Sequence, residues 1–299
     1  MSRFRKTGVI LQPPTELPWS ASHAAVPFVE PDDVRRLYFT TRDAQGRSHV
    51  VRASLDLAAD AAVVEPQPVL EPGALGAFDD SGAMGSCLVR HGGSTFLYYT
   101  GWSLGVTVPF RNFTGCAVSD DGDSTFRKLS TAPILGPNEV DPYLAHSPWV
   151  LVEDGRWRMW YCSGTEWELY DGRPRHRYHV KYAESDDGID WRREGHVCID
   201  YGGPDEYAIS RPVVVRDGDR YRMWFSARGE RYRLGYAESS DGLSWERNDE
   251  LAGLEPSASG WDSEMVCYAC VFDAGGVRHM LYNGNGYGRT GIGHAVLEP

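Results

Sequence analysis

The sequence predicts an all-β protein, a five-bladed β-propeller of four-stranded antiparallel blades that is closed by an N-terminal strand in the last blade. Two observations support this fold class. One short motif recurs five times along the chain, and the 299 residues include 33 Gly, 10 Trp and 16 Tyr. Glycines and aromatic residues at these frequencies are typical of tight turns and strands rather than of helices.

The five copies of the motif read RRLYFTTRD, TFLYYTGW, RWRMWYCSG, RYRMWFSAR and RHMLYNGNG. Their equivalent positions, Leu37, Leu97, Met159, Met223 and Met280, are 60, 62, 64 and 57 residues apart. A turn and a short apolar run precede most copies, and a second strand-like run such as VKYAESDDG follows each. Each repeat unit therefore reads strand, turn, strand, loop, strand, turn, strand. A long period with four strands per unit is the signature of a β-propeller.

The two ends of the chain predict how the ring closes. The last unit stops after its third strand-like run, GIGHAVLEP, while the chain begins with an additional one, TGVILQPP. We expect this N-terminal piece to supply the missing outer strand of blade five, which leaves no sheet edge unpaired. A single domain over residues 1–299 follows from this arrangement.

Composition excludes several classes of partner. A net charge of −12 repels nucleic acid and anionic membranes. Cys267 and Cys270 lack a second pair of ligands, so we expect neither a metal nor another cofactor, and we expect the six cysteines to be buried thiols. No long apolar segment precedes Pro13, which predicts a cytoplasmic protein without a secretory signal. The partner that remains is a small neutral ligand such as a glycoside; the oligomeric state is left open.

The starts of strand one and the ends of strand two in every unit share one rim around the predicted axis. Loops on a rigid scaffold are the usual place for function. The candidate catalytic carboxylates there are Glu206, Asp141, Glu264 and Asp80. Two opposed carboxyl groups, one of them protonated, could cleave a glycosidic bond with inversion. Asp79 alternates with Asp80 and is expected to point away from the axis.

The same rim holds residues suited to binding a sugar. Trp102 and Trp167 do not recur with the repeat, so they are candidates for stacking on a sugar ring. The other candidate substrate-binding residues are His23, Arg42, Asp43, His146, Arg211, Arg228, Asp262 and Asn283. Simpler interpretations remain open, with Glu206 as an ion-pair partner of Arg211 and Asp141 as a turn residue before Pro142. An insertion at 165–177 could form one wall of the pocket.

At these motifs the chain resembles the five-bladed propeller glycosidases, loosely glycoside hydrolase families 32, 43, 62 and 130. The resemblance rests on YAESxDGxxW-like segments, on FDDSGAMGSCLV in unit two and on VDPY at Asp141. It implies that Asp141 orients the substrate and stabilises the transition state. The segment DEYAISRP holds the position of the general acid in unit four, which implies that role for Glu206.

One departure from these families concerns the head of unit one, where they place an aspartate and this chain has Ser22-His23-Ala24. Either another unit supplies the base, with Glu264, Asp262 and Asp80 as candidates, or the reaction differs. His23 and His146 could transfer protons, or could bind phosphate with Arg42 and Arg211 as in the phosphorylases of family 130. The sequence thus predicts an inverting glycosidase, with a phosphorylase or a non-hydrolytic sugar-binding propeller as alternatives.

Overall fold

The structure is a computed structural model that describes residues 3–120, 122 and 125–298. Its regular elements are twenty β-strands and two short 3-10 turns, Asp249–Ala252 and Asn285–Gly288. No α-helix occurs in this part of the chain, so the predicted all-β class is confirmed. Within the same ranges, no helical segment is long and apolar enough to cross a bilayer. Residues 1, 2, 121, 123, 124 and 299 of the expected single domain lie outside the described residues.

The strands pair antiparallel in groups of four, which we number as units 1 to 5. Unit 1 contains β2 (Ser22–Val29), β3 (Arg36–Arg42), β4 (Ser48–Asp56) and β5 (Ala61–Leu70). Unit 2 contains β6 (Gly82–His91), β7 (Ser94–Leu104), β8 (Phe110–Ser119) and β9 (Arg127–Lys128). Unit 3 contains β10 (Ala145–Glu153), β11 (Arg156–Tyr170), β12 (Arg173–Ser185) and β13 (Val197–Ile199). Unit 4 contains β14 (Ala208–Asp217), β15 (Arg220–Arg228), β16 (Tyr232–Ser239) and β17 (Glu246–Arg247). Unit 5 contains β18 (Cys267–Ala274), β19 (Val277–Asn283), β20 (Ile292–Leu297) and β1 (Phe4–Leu11).

The N-terminal strand occupies the predicted place, because β1 pairs antiparallel with β20 from Phe4–Leu297 to Leu11–Ile292. Single parallel pairs, Ser48–Gly82, Phe113–Ala145 and Tyr178–Ala208, join units 1 to 4 into one hydrogen-bonded sheet. Unit 5 forms a separate four-stranded sheet, so the backbone ladder does not run around a complete ring. The outer strands of units 2 and 4 have only two residues each.

A recurring hydrogen bond joins the first strand of each unit to the second strand of the preceding unit. Its donors are backbone N–H groups at the places where the first strands bulge, in Val26, Gly85, Ser147, Arg211 and Tyr268. Val26 N–H donates to Asn283 Oδ1 (2.8 Å), Gly85 to Thr40 Oγ1 (3.3 Å), Ser147 to Thr100 Oγ1 (2.9 Å) and Tyr268 to Ser226 Oγ (2.8 Å). The Arg211 N–H bonds the Cys162 thiol at the matching place.

These bulges require unusual backbone conformations. Val26, Ser147, Arg211 and Tyr268 have φ values of 48°, 50°, 53° and 55°. A positive φ is uncommon for a residue with a side chain, so the surrounding contacts must hold the backbone there. The recurring hydrogen bond is such a contact, because it satisfies a buried N–H that the bulge removes from the ladder.

Aromatic residues fill the space between neighbouring units. Trp157 and Trp160 are almost completely buried. Trp160 Nε1–H donates to Gly242 O of unit 4 (2.8 Å), and Tyr98 OH donates to Gly188 O of unit 3 (2.7 Å). Each of these Asp-Gly turns therefore packs on the preceding unit. The six cysteines are buried and unpaired, in agreement with the expected free thiols.

We predict that Thr100→Val lowers the free energy of unfolding by about 1–3 kcal/mol, because the buried Ser147 N–H loses its acceptor while the side-chain volume is nearly kept. Chemical denaturation measures the change as a lower midpoint at an unchanged slope. The exposed Thr131→Val is the matched control. Equal midpoints for the two variants would contradict the stabilising role of this hydrogen bond.

Candidate functional site

Five tyrosines and an arginine gather at the rim where strand one begins and strand two ends. The Arg228 guanidinium lies over the rings of Tyr207, Tyr232 and Tyr287, at 5.4, 5.3 and 5.5 Å from their centroids. Tyr232 also packs on Tyr268, with ring centroids 5.6 Å apart, and its hydroxyl is 2.9 Å from that of Tyr178. Residues of units 3, 4 and 5 thus meet at one place.

Two neutral histidines continue this group on the side of unit 3. His176 stacks on Tyr178 at 4.7 Å, and His146 meets the same ring edge-on at 5.1 Å. Burial lowers the pKa of His146 to about 3 and that of His176 to about 4. The Nε2 atoms of both rings are buried and have no hydrogen-bond partner among the described residues. Such groups are available to a ligand.

Unit 1 contributes a second arginine and a third neutral histidine. Burial, followed by the positive charges of Arg42 and Arg289, lowers the pKa of His23 to about 4. The Arg42 guanidinium lies 5.8 Å from the ring centroid of Trp102, whose indole N–H donates to Ser48 Oγ (3.1 Å). Burial lowers the pKa of Arg42, and the nearby Tyr268 opposes this shift.

Tyr268 connects the two arginines, because its half-buried side chain interacts electrostatically with both Arg42 and Arg228. We call the whole group the rim cluster. Its members are His23, Arg42, His146, His176, Tyr178, Tyr207, Arg228, Tyr232, Tyr268 and Tyr287. Trp167 lies at its edge, with its ring 5.8 Å from His176 and 5.2 Å from Phe110.

Arg211 adjoins the rim cluster and spans from unit 4 to units 1 and 2. Its side chain is 5% exposed, and its guanidinium donates to Gly85 O (2.9 Å), Ser86 Oγ (3.2 Å) and Val26 O (3.3 Å). Among the described residues, its Nε–H has no partner and no carboxylate neutralises its charge. Arg211 is therefore not the ion-pair partner of Glu206, which was one of the interpretations that the sequence left open.

The carboxylates named from the sequence lie in other surroundings. Asp141 is completely buried and accepts hydrogen bonds from Tyr161 OH (2.9 Å) and Ser163 Oγ (2.6 Å). It also accepts from Lys181 Nζ (3.3 Å) and Arg193 (3.0 Å). These donors occupy both oxygens, so Asp141 has the contacts of a structural carboxylate rather than of one open to a ligand.

Asp79 and Asp262 have a related arrangement in units 2 and 5, but their side-chain donors bond only one oxygen, and Asp262 Oδ1 is buried without a partner among the described residues. Asp79 accepts from Tyr99 OH (3.1 Å) and Lys128 (2.6 Å), and Asp262 from Tyr282 OH (3.1 Å) and Lys6 (2.6 Å). The lysines come from the outer strands, so each pair holds the first and last strands of a unit together. Asp262, a candidate for contact with substrate, is 1% exposed.

Glu206 is the counterpart in unit 4, where Arg247 of the outer strand holds both of its oxygens at 2.8 Å. The Gly202 N–H adds a third hydrogen bond at 2.6 Å. Glu264 is different: its side chain is 54% exposed and forms an ion pair with the similarly exposed Arg231 at 3.1 Å. Asp80 caps the turn before β6 by accepting from Gly76 N–H and Ser81 Oγ, both at 3.0 Å.

Two further candidates also have partners within the protein. Asp43 accepts from His49 and Arg47, both at 3.0 Å; burial raises its pKa, but these hydrogen bonds lower it overall. Its ion-pair partner is thus Arg47 and not the adjacent Arg42. Asn283 donates to Ala24 O and Gly291 O, both at 2.8 Å, besides accepting from Val26. Neither side chain is left free for a ligand.

The structure therefore brings together His23, Arg42, His146 and Arg228 from the predicted set, and places the carboxylates around them in separate contacts. Sequence reasoning missed His176, which lies in the predicted insertion at 165–177, and Tyr178, which follows it. It also missed Tyr207 and Tyr232 of unit 4 and Tyr268 and Tyr287 of unit 5. An alignment of the five units could have identified Tyr268, because it occupies the position at which the first strands bulge. In the described ranges, no group of three or more His, Cys, Asp or Glu side chains has the arrangement of a metal site.

Solved structures define the class of fold. A structure described as Glycoside hydrolase superposes with a TM-score of 0.77 at 18% identity, covering 100% of this chain and 93% of that one. A thermostable family-43 glycoside hydrolase gives 0.69 at 13% identity, covering 96% and 92%. An endo-arabinase from Bacteroides thetaiotaomicron gives 0.64 at 17% identity, covering 95% and 96%. The resemblance to the β-propeller glycosidases is confirmed at the level of the fold.

Two proteins of Mycobacterium tuberculosis are similar in sequence, Uncharacterized protein Rv1502 of strain H37Rv and Uncharacterized protein MT1551 of strain CDC 1551. Each is 46% identical to the chain over 299 residues, covering 99% of both sequences. The chain belongs to the family of these mycobacterial proteins. No protein-family profile matches it.

We predict that Asp141→Asn lowers the free energy of unfolding by about 3–5 kcal/mol, because it leaves the buried ends of Lys181 and Arg193 without their counter-charge. Thermal or chemical denaturation measures the loss, with the exposed Asp205→Asn as the control. A stable, well-folded Asp141→Asn protein would contradict the structural role.

We also predict that acid weakens the fold through the neutral histidines. The pKa of His176 falls from 6.5 to about 4 on folding, mainly through burial. The contribution of neutral His176 to the free energy of unfolding is complete above pH 6.5. It is lost as the pH falls toward 4, because His176 binds a proton in the unfolded chain before it does so in the folded protein. His176→Phe keeps the ring on Tyr178 but cannot titrate. The variant should therefore show a flatter dependence of unfolding free energy on pH in this window; parallel curves would contradict the assignment.

Proposed function

We propose that the protein is a glycosidase of the five-bladed propeller type, and that it binds a small glycoside at the rim cluster. The observation that carries this proposal is the cluster itself: aromatic rings surround hydrogen-bonding groups that have no partner within the described protein. Ligand sites combine aromatic walls with a few polar groups of this kind. Likeness to the glycoside hydrolase fold supports a sugar as the ligand.

The closed ring of five blades is part of this proposal. Its support is the recurring hydrogen bond, which links each unit to the one before it. The bond from Val26 N–H to Asn283 Oδ1 is the fifth of the series and connects unit 5 to unit 1, where the backbone ladder is absent. In the proposed ring, five such links gather the first strands around one axis, with the rim cluster at its end.

Two carboxylates are adjacent in sequence to residues that pack in or against the rim cluster, and they are the proposed catalytic pair. Glu206 precedes Tyr207, which lies under Arg228, and Glu264 precedes Met265, which packs with Tyr232, Tyr268 and Tyr287. The oxygens of Glu206 are held by donors, which suits a base or a charge that stabilises the transition state. Glu264 has the more open carboxyl group. We therefore assign proton donation to Glu264 instead of Glu206, while the sequence resemblance implied the reverse.

We predict that Glu264→Gln lowers kcat/KM by about 100-fold or more for aryl glycosides with poor leaving groups, since a general acid contributes about 10²–10⁴-fold. Dinitrophenyl glycosides need little protonation and should lose far less. Initial rates over a panel of sugars and leaving groups, with proton NMR of the released anomer, measure both effects and test inversion.

The exposed Glu71→Gln is the control, and Glu206→Gln should reduce the rates for all leaving groups alike. If Glu264→Gln retains full activity while Glu206→Gln shows the dependence on the leaving group, the two roles are exchanged. Dependence of turnover on inorganic phosphate would identify a phosphorylase.

A second function, sugar binding without hydrolysis, is favoured by one observation. The five bulge residues that surround the proposed axis, Val26, Gly85, Ser147, Arg211 and Tyr268, include no carboxylate. Calorimetric binding of a glycoside by a protein that turns over none of the panel would support this candidate and contradict the glycosidase assignment.

A further inference from the structure

The two arginines of the rim cluster differ from most arginines of the protein in having no carboxylate partner among the described residues. Arg42 and Arg228 end the second strands of units 1 and 4, at equivalent positions of the repeat. Both are half-buried, and their electrostatic neighbours are tyrosines and Arg289 rather than acids of the described chain. By contrast, Arg278 pairs with Asp217 and Asp273, and Arg52 pairs with Glu65.

No described group around these arginines supplies negative charge. Arg228 is surrounded by three tyrosine rings, and its Nε–H is buried without a partner in the described residues. Arg42 lies beside Trp102 and the neutral His23. The hydroxyl groups of a neutral sugar need no such excess of positive charge, whereas guanidinium groups match the geometry of carboxylates and phosphates.

Arg211 adds a third positive charge close to Tyr268. It is 5% exposed, is held by backbone carbonyls and Ser86, and leaves its own Nε–H unpartnered within the described chain. Tyr268 interacts with it and with Arg42. Burying a cation without a counter-charge costs free energy, and three of them near one ring repel one another. The chain as a whole has a net charge of −12, so this local excess of positive charge is specific to the site and is not a general property of the protein.

We infer that the rim cluster recognises an anionic sugar, whose oxyanion substituent, a carboxylate or a phosphate ester, lies between Arg42 and Arg228. The sugar ring then lies against Tyr268, and the free Nε–H of Arg228 donates to the oxyanion. The bound anion offsets the repulsion among the guanidinium groups, because it supplies the counter-charge that these arginines lack. This inference rests on the proposed function, which supplies the sugar as the ligand. It assigns selectivity to the negative charge of the sugar and does not depend on whether the sugar is cleaved.

Binding of matched sugars tests the inference without any need for turnover. Isothermal titration calorimetry compares glucuronic acid and glucose 6-phosphate with glucose, and inorganic phosphate alone is the fourth probe. We expect both anionic sugars to bind about tenfold or more tightly than glucose, as charge-assisted hydrogen bonds of about 1.5–3 kcal/mol require. Arg42→Gln and Arg228→Gln should each remove most of that preference.

Lysine variants at the two sites and a control variant at another arginine show whether the guanidinium groups of Arg42 and Arg228 are required. Arg42→Lys and Arg228→Lys keep a cation but not the paired N–H groups, and should fall between the wild type and the glutamine variants. Arg220→Gln, an exposed arginine paired with Glu238, is the control and should bind as the wild type does. Thermal unfolding of each variant shows that the fold is kept.

Three outcomes would overturn the inference. One is that, at up to millimolar concentration, neither anionic sugar binds more tightly than glucose. Another is an anionic preference that survives in both glutamine variants. The third is inorganic phosphate binding as tightly as glucose 6-phosphate, which would show that the anion is not carried by a sugar. Cleavage of neutral glycosides with no anionic preference would overturn this inference alone, whereas selective binding without cleavage would overturn only the glycosidase assignment.

Discussion

The structure depends on one repeated interaction, the hydrogen bond from the bulged first strand of each unit to a side chain on the second strand of the preceding unit. It holds four of the bulge residues at positive φ and fixes the spacing of neighbouring units. In the proposed ring the bulge residues surround the axis, so their identity determines the chemistry available there. Arg211 and Tyr268 are the large polar side chains among them, which makes this centre cationic and aromatic.

The distribution of charge follows from the same architecture. Asp79, Asp141, Glu206 and Asp262 each stand before a first strand and pair with Lys or Arg from the outer part of their unit. Three of these acids, Asp79, Asp141 and Asp262, are thus used to close the sheets, while Arg42 and Arg228 lie at the rim without a carboxylate partner among the described residues.

The repeat in the sequence was sufficient to predict the all-β class, the four-stranded units and the pairing of the N-terminal strand. It also predicted one rim for His23, Arg42, His146 and Arg228, which the structure places in the rim cluster. It could not predict the partners of the carboxylates, because those of Asp141 lie at Lys181 and Arg193 and that of Asp262 at Lys6, far away in the sequence. His176 and Tyr178 were missed because a register shift in the long β11–β12 hairpin decides which side chains reach the rim.

The most direct test of this account is a crystal structure of the protein soaked with a sugar that it binds. We expect electron density for the sugar at the end of the axis, within hydrogen-bond distance of Arg228 and in contact with Tyr268. Density on the outer strands, or at the opposite rim beside the Asp-Gly turns, would contradict the account, because the unpartnered groups that define the site would then have no ligand.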